Sequence, residues 1–191
     1  MERMLEAQRY GRNKSTLVNG SYISSGEYKK KFDKITKNKD FSRILYNTAK
    51  EMLFHRSGTL YEDMYWFDAD TGCIIAKEIN SIEEEQILYS ETINKAIEGK
   101  SNIITMHTHP YSMPPSIADF NSVKEHNYRF GIVLGHDGKI FVYKSAETVT
   151  RVLYNLYVAD YYKMLQDEYE AQIEALKELA QNYEIAFWEV T

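Results

Sequence analysis

A change of hydrophobic period near residue 58 limits this chain more than any other feature. Phe41, Ile44, Leu45, Ala49, Met52 and Leu53 keep the spacing of one helix face, and Gly58 stands just past the end of that run. Beyond it the apolar runs shorten to strand length and fill with aromatic and β-branched residues. Residues 60–67 and 73–79 read as two strands joined by the turn Asp68-Ala-Asp-Thr-Gly72. Residues 83–97 return to helical spacing, with Gly99 as the stop, and 102–109 read as a strand. A short helix starts near Ser116, and 129–135 and 139–144 are strands around a tight Asp137-Gly138 turn. This order predicts an α/β (α+β) fold, a mixed central sheet with helices packed on it.

The flanks are read by the same rules. Residues 1–15 have no clean apolar period and suit a mobile arm or a loosely docked helix. Asn19-Gly20 between short apolar runs signals a hairpin. Ser24-x-x-Glu27 has the form of a capping box opening a short basic helix to about Ile35, and Asp40 can cap the next helix. Residues 147–183 carry one apolar stripe through Val158, Tyr162, Leu165, Tyr169, Ile173, Leu176, Ala180 and Tyr183, with Gln172 breaking a strict heptad seam. A single helix of roughly 35 residues at 1.5 Å each would overhang a compact domain, which makes a homodimer contact through it an expectation. Residues 185–190 can add a last strand. The organisation expected is a basic arm, hairpin and short helix (1–40), a central core (41–146), and a long helix with a terminal strand (147–191), all in one globular domain.

Composition excludes several classes. A chain of 191 residues is sized for one domain. Its single cysteine, Cys73, excludes an internal disulfide framework and a thiolate zinc cluster, and suits a reducing, cytoplasmic setting. At a strand start, Cys73 reads as a small buried hydrophobe. No apolar run nears the ~20 residues of a membrane span, and the N-terminus lacks the apolar stretch of a secretory signal. Charge is uneven: residues 1–50 hold 12 basic and 5 acidic side chains (net +7), 51–149 hold 8 and 15 (net −7), and 150–191 hold 3 and 8 (net −5). The basic front is read first as a solvated face, with an acidic partner or nucleic acid as the alternatives.

The stretch with chemistry in it is residues 102–120, NIITMHTHPYSMPPSIADF. His107 and His109 lie two apart in a strand, so both imidazoles share one face, while Met106 and Thr108 take the other. Asp119 sits in the first turn of the helix that Ser116 begins. Two histidines and a carboxylate are a ligand set for a catalytic zinc with one position left open. Taken singly, each residue has a plainer reading, and Ser116-x-x-Asp119 is itself a capping-box pattern. Neither phosphate-binding loop nor serine elbow is present. His136 and Asp137, after a strand, read as a surface turn. His55 and His126 lie near helix ends, where the helix dipole suffices to explain them.

Together, His107, His109, Pro110, Ser116 and Asp119 resemble the JAMM motif of the JAB/MPN (Mov34) metalloenzymes: His-x-His-Pro, a loop, then Ser-x-x-Asp. Six residues separate His109 from Ser116 where seven are usual in the family. The similarity extends over about residues 41–145; LYEDMYWFDADTG is similar to RadC-like bacterial members, and HRSGTLYEDMY resembles JAB-domain proteins of phages and mobile elements. The resemblance implies a cytidine-deaminase-like core and a Zn2+ ion held by His107, His109 and Asp119. It further implies a glutamate that moves the proton of an attacking water, a role falling on Glu62, and a serine hydroxyl, that of Ser116, donating to the oxyanion. Asp63 is adjacent to Glu62, and Glu51 lies in the preceding helix; strand alternation decides between 62 and 63, and its phase is open.

The function that follows from the resemblance is a zinc metallopeptidase or isopeptidase acting on a peptide or protein substrate. The other readings are an assembly protein, phage-related, using the fold as an interaction module, and a RadC-like nucleic-acid-associated factor.

Overall fold

The computed structural model describes residues 15–191. The stretch expected to form an N-terminal arm lies almost wholly outside the described residues. Two short helices, α1 (Gly20–Ile23) and α2 (Gly26–Phe32), lead into the long helix α3 (Lys39–Arg56). Then follow β1 (Met64–Asp68), β2 (Ile74–Glu78), α4 (Glu91–Ile97), β3 (Ile103–His109), α5 (Ile117–Glu125), β4 (Phe130–Gly135), β5 (Ile140–Ser145), α6 (Arg151–Leu165), α7 (Glu168–Asn182) and β6 (Ile185–Glu189). The strands form one six-stranded sheet in the order β2-β1-β3-β4-β5-β6. Only β3 and β4 run parallel; the other neighbours are antiparallel. The parallel pair follows from the crossover helix α5, since parallel strands need a connection long enough to return to the same end of the sheet.

Helices cover both faces, so the strands divide their side chains between two cores. On one face Tyr65, Phe67, Ile104, Met106, Ile132 and Leu134 pack under α1, α2 and α3 through Ile23, Phe32, Leu45 and Met52. On the other, Met64, Trp66, Ile103, Val133, Phe141 and Tyr143 pack under α4, α5 and α7 through Ile93, Phe120, Leu176 and Leu179. Period two fixes which face each residue joins. Met64 pairs with His107 in the β1–β3 register, which puts His107 on the α5 face.

Several local expectations are corrected. Asn19-Gly20 makes no hairpin: Asn19 caps α1, its side chain accepting from the Tyr22 amide. Ser25, not Ser24, caps α2, which ends at Phe32. Asn38 rather than Asp40 caps α3, leaving Asp40 in the first turn, where its charge suits the dipole. Residues 83–90 are not helical; the Ser81 hydroxyl donates to the carbonyls of Glu83 and Gln86, and the Glu85 amide to that of Leu60. These side-chain and long-range bonds take the backbone groups a helix would need, so α4 starts only after Ser90. Cys73 is exposed rather than buried.

The expected single helix over 147–183 is two. Gln166 closes α6 in the left-handed region (φ 54°), and Asp167 caps α7 by accepting from the Glu170 amide. The two helices fold back into a hairpin, with the Tyr161 hydroxyl donating to Glu178. The stripe is buried only in part: Tyr169 and Leu176 of α7 enter the core, Val158 and Ile173 pack against it, and Leu165 of α6 is 44% exposed. The reversal at Gln166 removes the overhang, while Val152, Leu156 and Met164 of α6 stay exposed. Asp167→Ala should cost about 1 kcal/mol, the usual worth of an N-cap. A thermal melt should show a midpoint lower by about 2–4 °C, and an unchanged midpoint would mean the hairpin does not depend on that cap. Among the described residues, no helix is long and apolar enough to cross a membrane.

Candidate metal centre

The site lies where the carboxyl end of β3 meets the start of α5. Strand alternation turns His107 and His109 to the same side, and their Nε2 atoms come within 3.0 Å. After His109 the chain turns sharply: the Ser112 amide donates to the His109 carbonyl, with Ser112 at φ 57°. The Ser112 hydroxyl accepts from the Asp137 amide, tying this loop to the β4–β5 turn. Ser116 then caps α5 in a reciprocal box: its hydroxyl accepts from the Asp119 amide at 3.3 Å, and the Asp119 carboxylate accepts from the Ser116 amide at 2.6 Å. The cap orients Asp119. Its two oxygens stand 3.2 Å from His107 Nε2 and 3.5 Å from His109 Nε2. The loop of six residues between His109 and Ser116 is therefore long enough to bring the carboxylate onto the histidine pair.

Glu62, just before β1, completes the group. It is 6% exposed, and it offers a carboxylate oxygen that lies, with one ring nitrogen each of His107 and His109, inside a mutual distance of 4.8 Å. The open phase of this segment is thereby settled. Glu62 faces the histidines, whereas Asp63 points to the opposite face, where Arg56 Nε lies 2.5 Å and His55 Nδ1 2.8 Å from its carboxylate. Glu51 is on α3, its carboxylate accepting from the Tyr65 hydroxyl.

The arrangement suits a tetrahedral cation. Bonds of 2.0–2.1 Å to nitrogen and oxygen imply ligand–ligand edges of about 3.3 Å; the two Nε2 atoms are 3.0 Å apart, Asp119 Oδ1 is 3.2 Å from His107 Nε2, and Asp119 Oδ2 is 3.5 Å from His109 Nε2. His109 Nδ1 lies 3.0 Å from the Met113 carbonyl. In the neutral ring that acceptor keeps the proton on Nδ1, so that Nε2 is the nitrogen offering a lone pair to a cation. His107 Nδ1 is buried without a hydrogen-bond partner among the described residues, so the polar contacts of this ring are all made through Nε2. The edge of Tyr143 meets it, ring centroids 6.2 Å apart at 89°. Tyr143 reaches over Gly131, where an added Cβ would lie 2.0 Å from the ring.

Electrostatics separate the acids. Burial pushes Glu62 up to about 7, against the pull of both histidines. Burial acts on Asp119 in the same sense, but His107 and His109 outweigh it and hold the carboxyl well below the usual range. His109 is opposed by burial, yet Asp119, Glu62 and the Met113 carbonyl raise it to about 9. Two neighbouring carboxyls thus differ widely in proton affinity, the pattern of a site with a fixed anion and a movable proton.

The centre opens into a cleft of about 580 Å³. Its walls include parts no motif pointed to: Glu84, Gln86 and Ile87 of the irregular segment after β2, and Arg151 and Gln172 of the C-terminal hairpin. Their place depends on tertiary packing, and their spacing carried no signal. His136 is not in a surface turn but fully buried, with Nδ1 2.6 Å from the Thr16 carbonyl. His126 stacks between Tyr89 and Tyr128, at 5.0 and 5.2 Å. Comparison with protein-family models, curated proteins and solved structures gives no match for this chain.

Proposed function

We propose that the chain is a zinc-dependent hydrolase of peptide or isopeptide bonds, with a JAMM-type centre on a JAB/MPN-like core. The observation that supports this reading is the convergence of His107 Nε2, His109 Nε2 and the two Asp119 carboxylate oxygens, with Glu62 facing the histidines. A zinc ion held by His107, His109 and Asp119 would supply Lewis acidity toward a carbonyl and would acidify a water. The chain's own residues do the rest. Glu62 sits in a buried position that makes its carboxylate a base near neutral pH, able to take a proton from water and return it to a leaving amine. Ser116 uses an oxygen lone pair for the cap, which leaves its O–H hydrogen to donate to a developing oxyanion. The cleft walls on both sides exclude part of the solvent and can hold an extended chain.

Zinc content per chain, followed by cleavage of a random peptide library by zinc-loaded protein, tests the proposal. One zinc per chain with cleavage is expected. One zinc without cleavage would favour the interaction-module reading, and no zinc would refute the proposal.

The proton balance gives a further expectation. At neutral pH the metal-free site holds a proton on His109 that a cation must displace. Zinc affinity should therefore rise with pH up to about 9 and flatten above it, with about one proton released per zinc at pH 7. Calorimetry in buffers of different ionisation enthalpy measures this. Affinity independent of pH between about 6 and 9 would contradict the ligand set.

A further inference from the structure

Of the groups at the centre, Glu62 has the least polar support of its own. Asp119 is fixed by the Ser116 amide and His109 is 3.0 Å from the Met113 carbonyl, but the Glu62 carboxylate receives no hydrogen bond among the described residues. Its position must come from the backbone at residues 62 and 63.

That backbone is anchored in an unusual way. The β1–β3 ladder reaches Met64–His107, and the next pair outward is Asp63 with Thr108. In an antiparallel ladder this pair would exchange two backbone bonds. One is present: the Thr108 amide donates to the Asp63 carbonyl at 3.1 Å. The other is replaced. The Asp63 amide donates at 3.0 Å to the Thr108 hydroxyl instead of the Thr108 carbonyl. A side-chain oxygen on the α3 face of the strand thus closes the ladder. Thr108 is fully buried and lies between the two histidines.

The Asp63 side chain adds a second anchor on the same face. Arg56 and His55, at the end of α3, contact its carboxylate, and Arg56 donates onward to the Ile79 carbonyl at 2.7 Å. Residue 63 is thereby tied to the histidine strand, to α3 and to the chain beyond β2. Because side chains alternate, fixing Asp63 on one face fixes Glu62 on the other, against His107 and His109.

We propose that Thr108 and Asp63 form a clamp that positions Glu62 relative to the histidine pair, with the Thr108 hydroxyl as the contact that sets the spacing. It rests on the hydrolase reading above. Thr108 and Asp63 are positioning residues; neither touches the reacting atoms.

Thr108→Val tests it, because valine keeps the branched shape and removes the hydroxyl, while Thr108→Ser keeps the hydroxyl. Crystal structures of the three zinc-loaded proteins should show the Glu62 carboxylate displaced by about 1 Å or more in Thr108→Val, with the His107–His109 contact kept, and restored in Thr108→Ser. On a library peptide that the wild type cleaves, Thr108→Val should lower kcat by about 100-fold with KM unchanged, and Thr108→Ser should recover it. An undisplaced Glu62 with full kcat in Thr108→Val would overturn the clamp. Should Thr108→Val not fold, amide exchange in the wild type decides: the clamp requires the Asp63 amide to be strongly protected, and exchange at the rate of an open loop would overturn it. A wild type that cleaves nothing refutes the hydrolase reading, while the Glu62 position and Asp63 protection still judge the clamp.

Discussion

Glu62→Gln should abolish hydrolysis while leaving the metal centre intact. An amide of nearly the same shape cannot accept the proton, and loss of general-base catalysis costs about 100- to 10,000-fold. Zinc content should stay at one per chain, because His107, His109 and Asp119 converge without Glu62. The same substitution should have an opposite effect on folding. Burial raises Glu62 from 4.5 to about 7, so the folded protein holds this proton more tightly than the unfolded chain does. The stability from that preference is present below about pH 4.5 and is lost as the pH rises through 7. Above pH 7 the buried carboxylate costs folding up to about 3 kcal/mol. Metal-free Glu62→Gln should therefore be more stable than the wild type at pH 8 by about 1–3 kcal/mol, with most of the gain gone at pH 5. Denaturant titrations at the two pH values measure the difference. A variant less stable than the wild type at pH 8 would mean that Glu62 supports the fold rather than the chemistry.

Replacing both histidines has the largest effect on the metal itself. His107→Ala with His109→Ala removes two of three ligands, so zinc binding and hydrolysis should both fall to background. In the wild type, zinc at a thousandfold excess over its dissociation constant should stabilise the fold by about 4 kcal/mol, equivalent to a midpoint rise of about 8–16 °C. The double variant should show no such rise. Zinc-dependent stabilisation equal to that of the wild type would place the metal elsewhere.

The parts of the fold that local pattern determines were legible before the structure. Phe41 to Leu53 mark one helix face, and the apolar runs of β3, β4 and β5 are strands because each is short and bounded by turn residues. His107 and His109 share a face because period two allows nothing else. Asp119 falls beside them because Ser116 opens a helix there. The errors share one cause: distant contacts took over groups that local rules assign nearby. Residues 83–90 have helical spacing, but their backbone bonds go to Ser81 and Leu60. Asn19-Gly20 fits a hairpin, but Gly20–Ile23 is helical and Asn19 caps it. Gln166 breaks the C-terminal helix without glycine or proline to announce it, and only Asp167 marks the new start.

The phase at Glu62 and Asp63 was open for the same reason. Both acids suit either face by chemistry. Arg56 and His55 decide it by drawing Asp63 to the α3 face, a contact between chain segments that no spacing reveals. Thr108 was read only as facing away from the histidines, and its hydroxyl matters because of that direction.

Anomalous scattering at the zinc edge, from crystals grown with equimolar zinc, tests the central claim most directly. The account predicts a single strong peak per chain, within bonding distance of His107 Nε2, His109 Nε2 and Asp119, with the Glu62 carboxylate facing it. Absence of a peak there, with the two imidazoles hydrogen-bonded to each other and to Asp119, would contradict it.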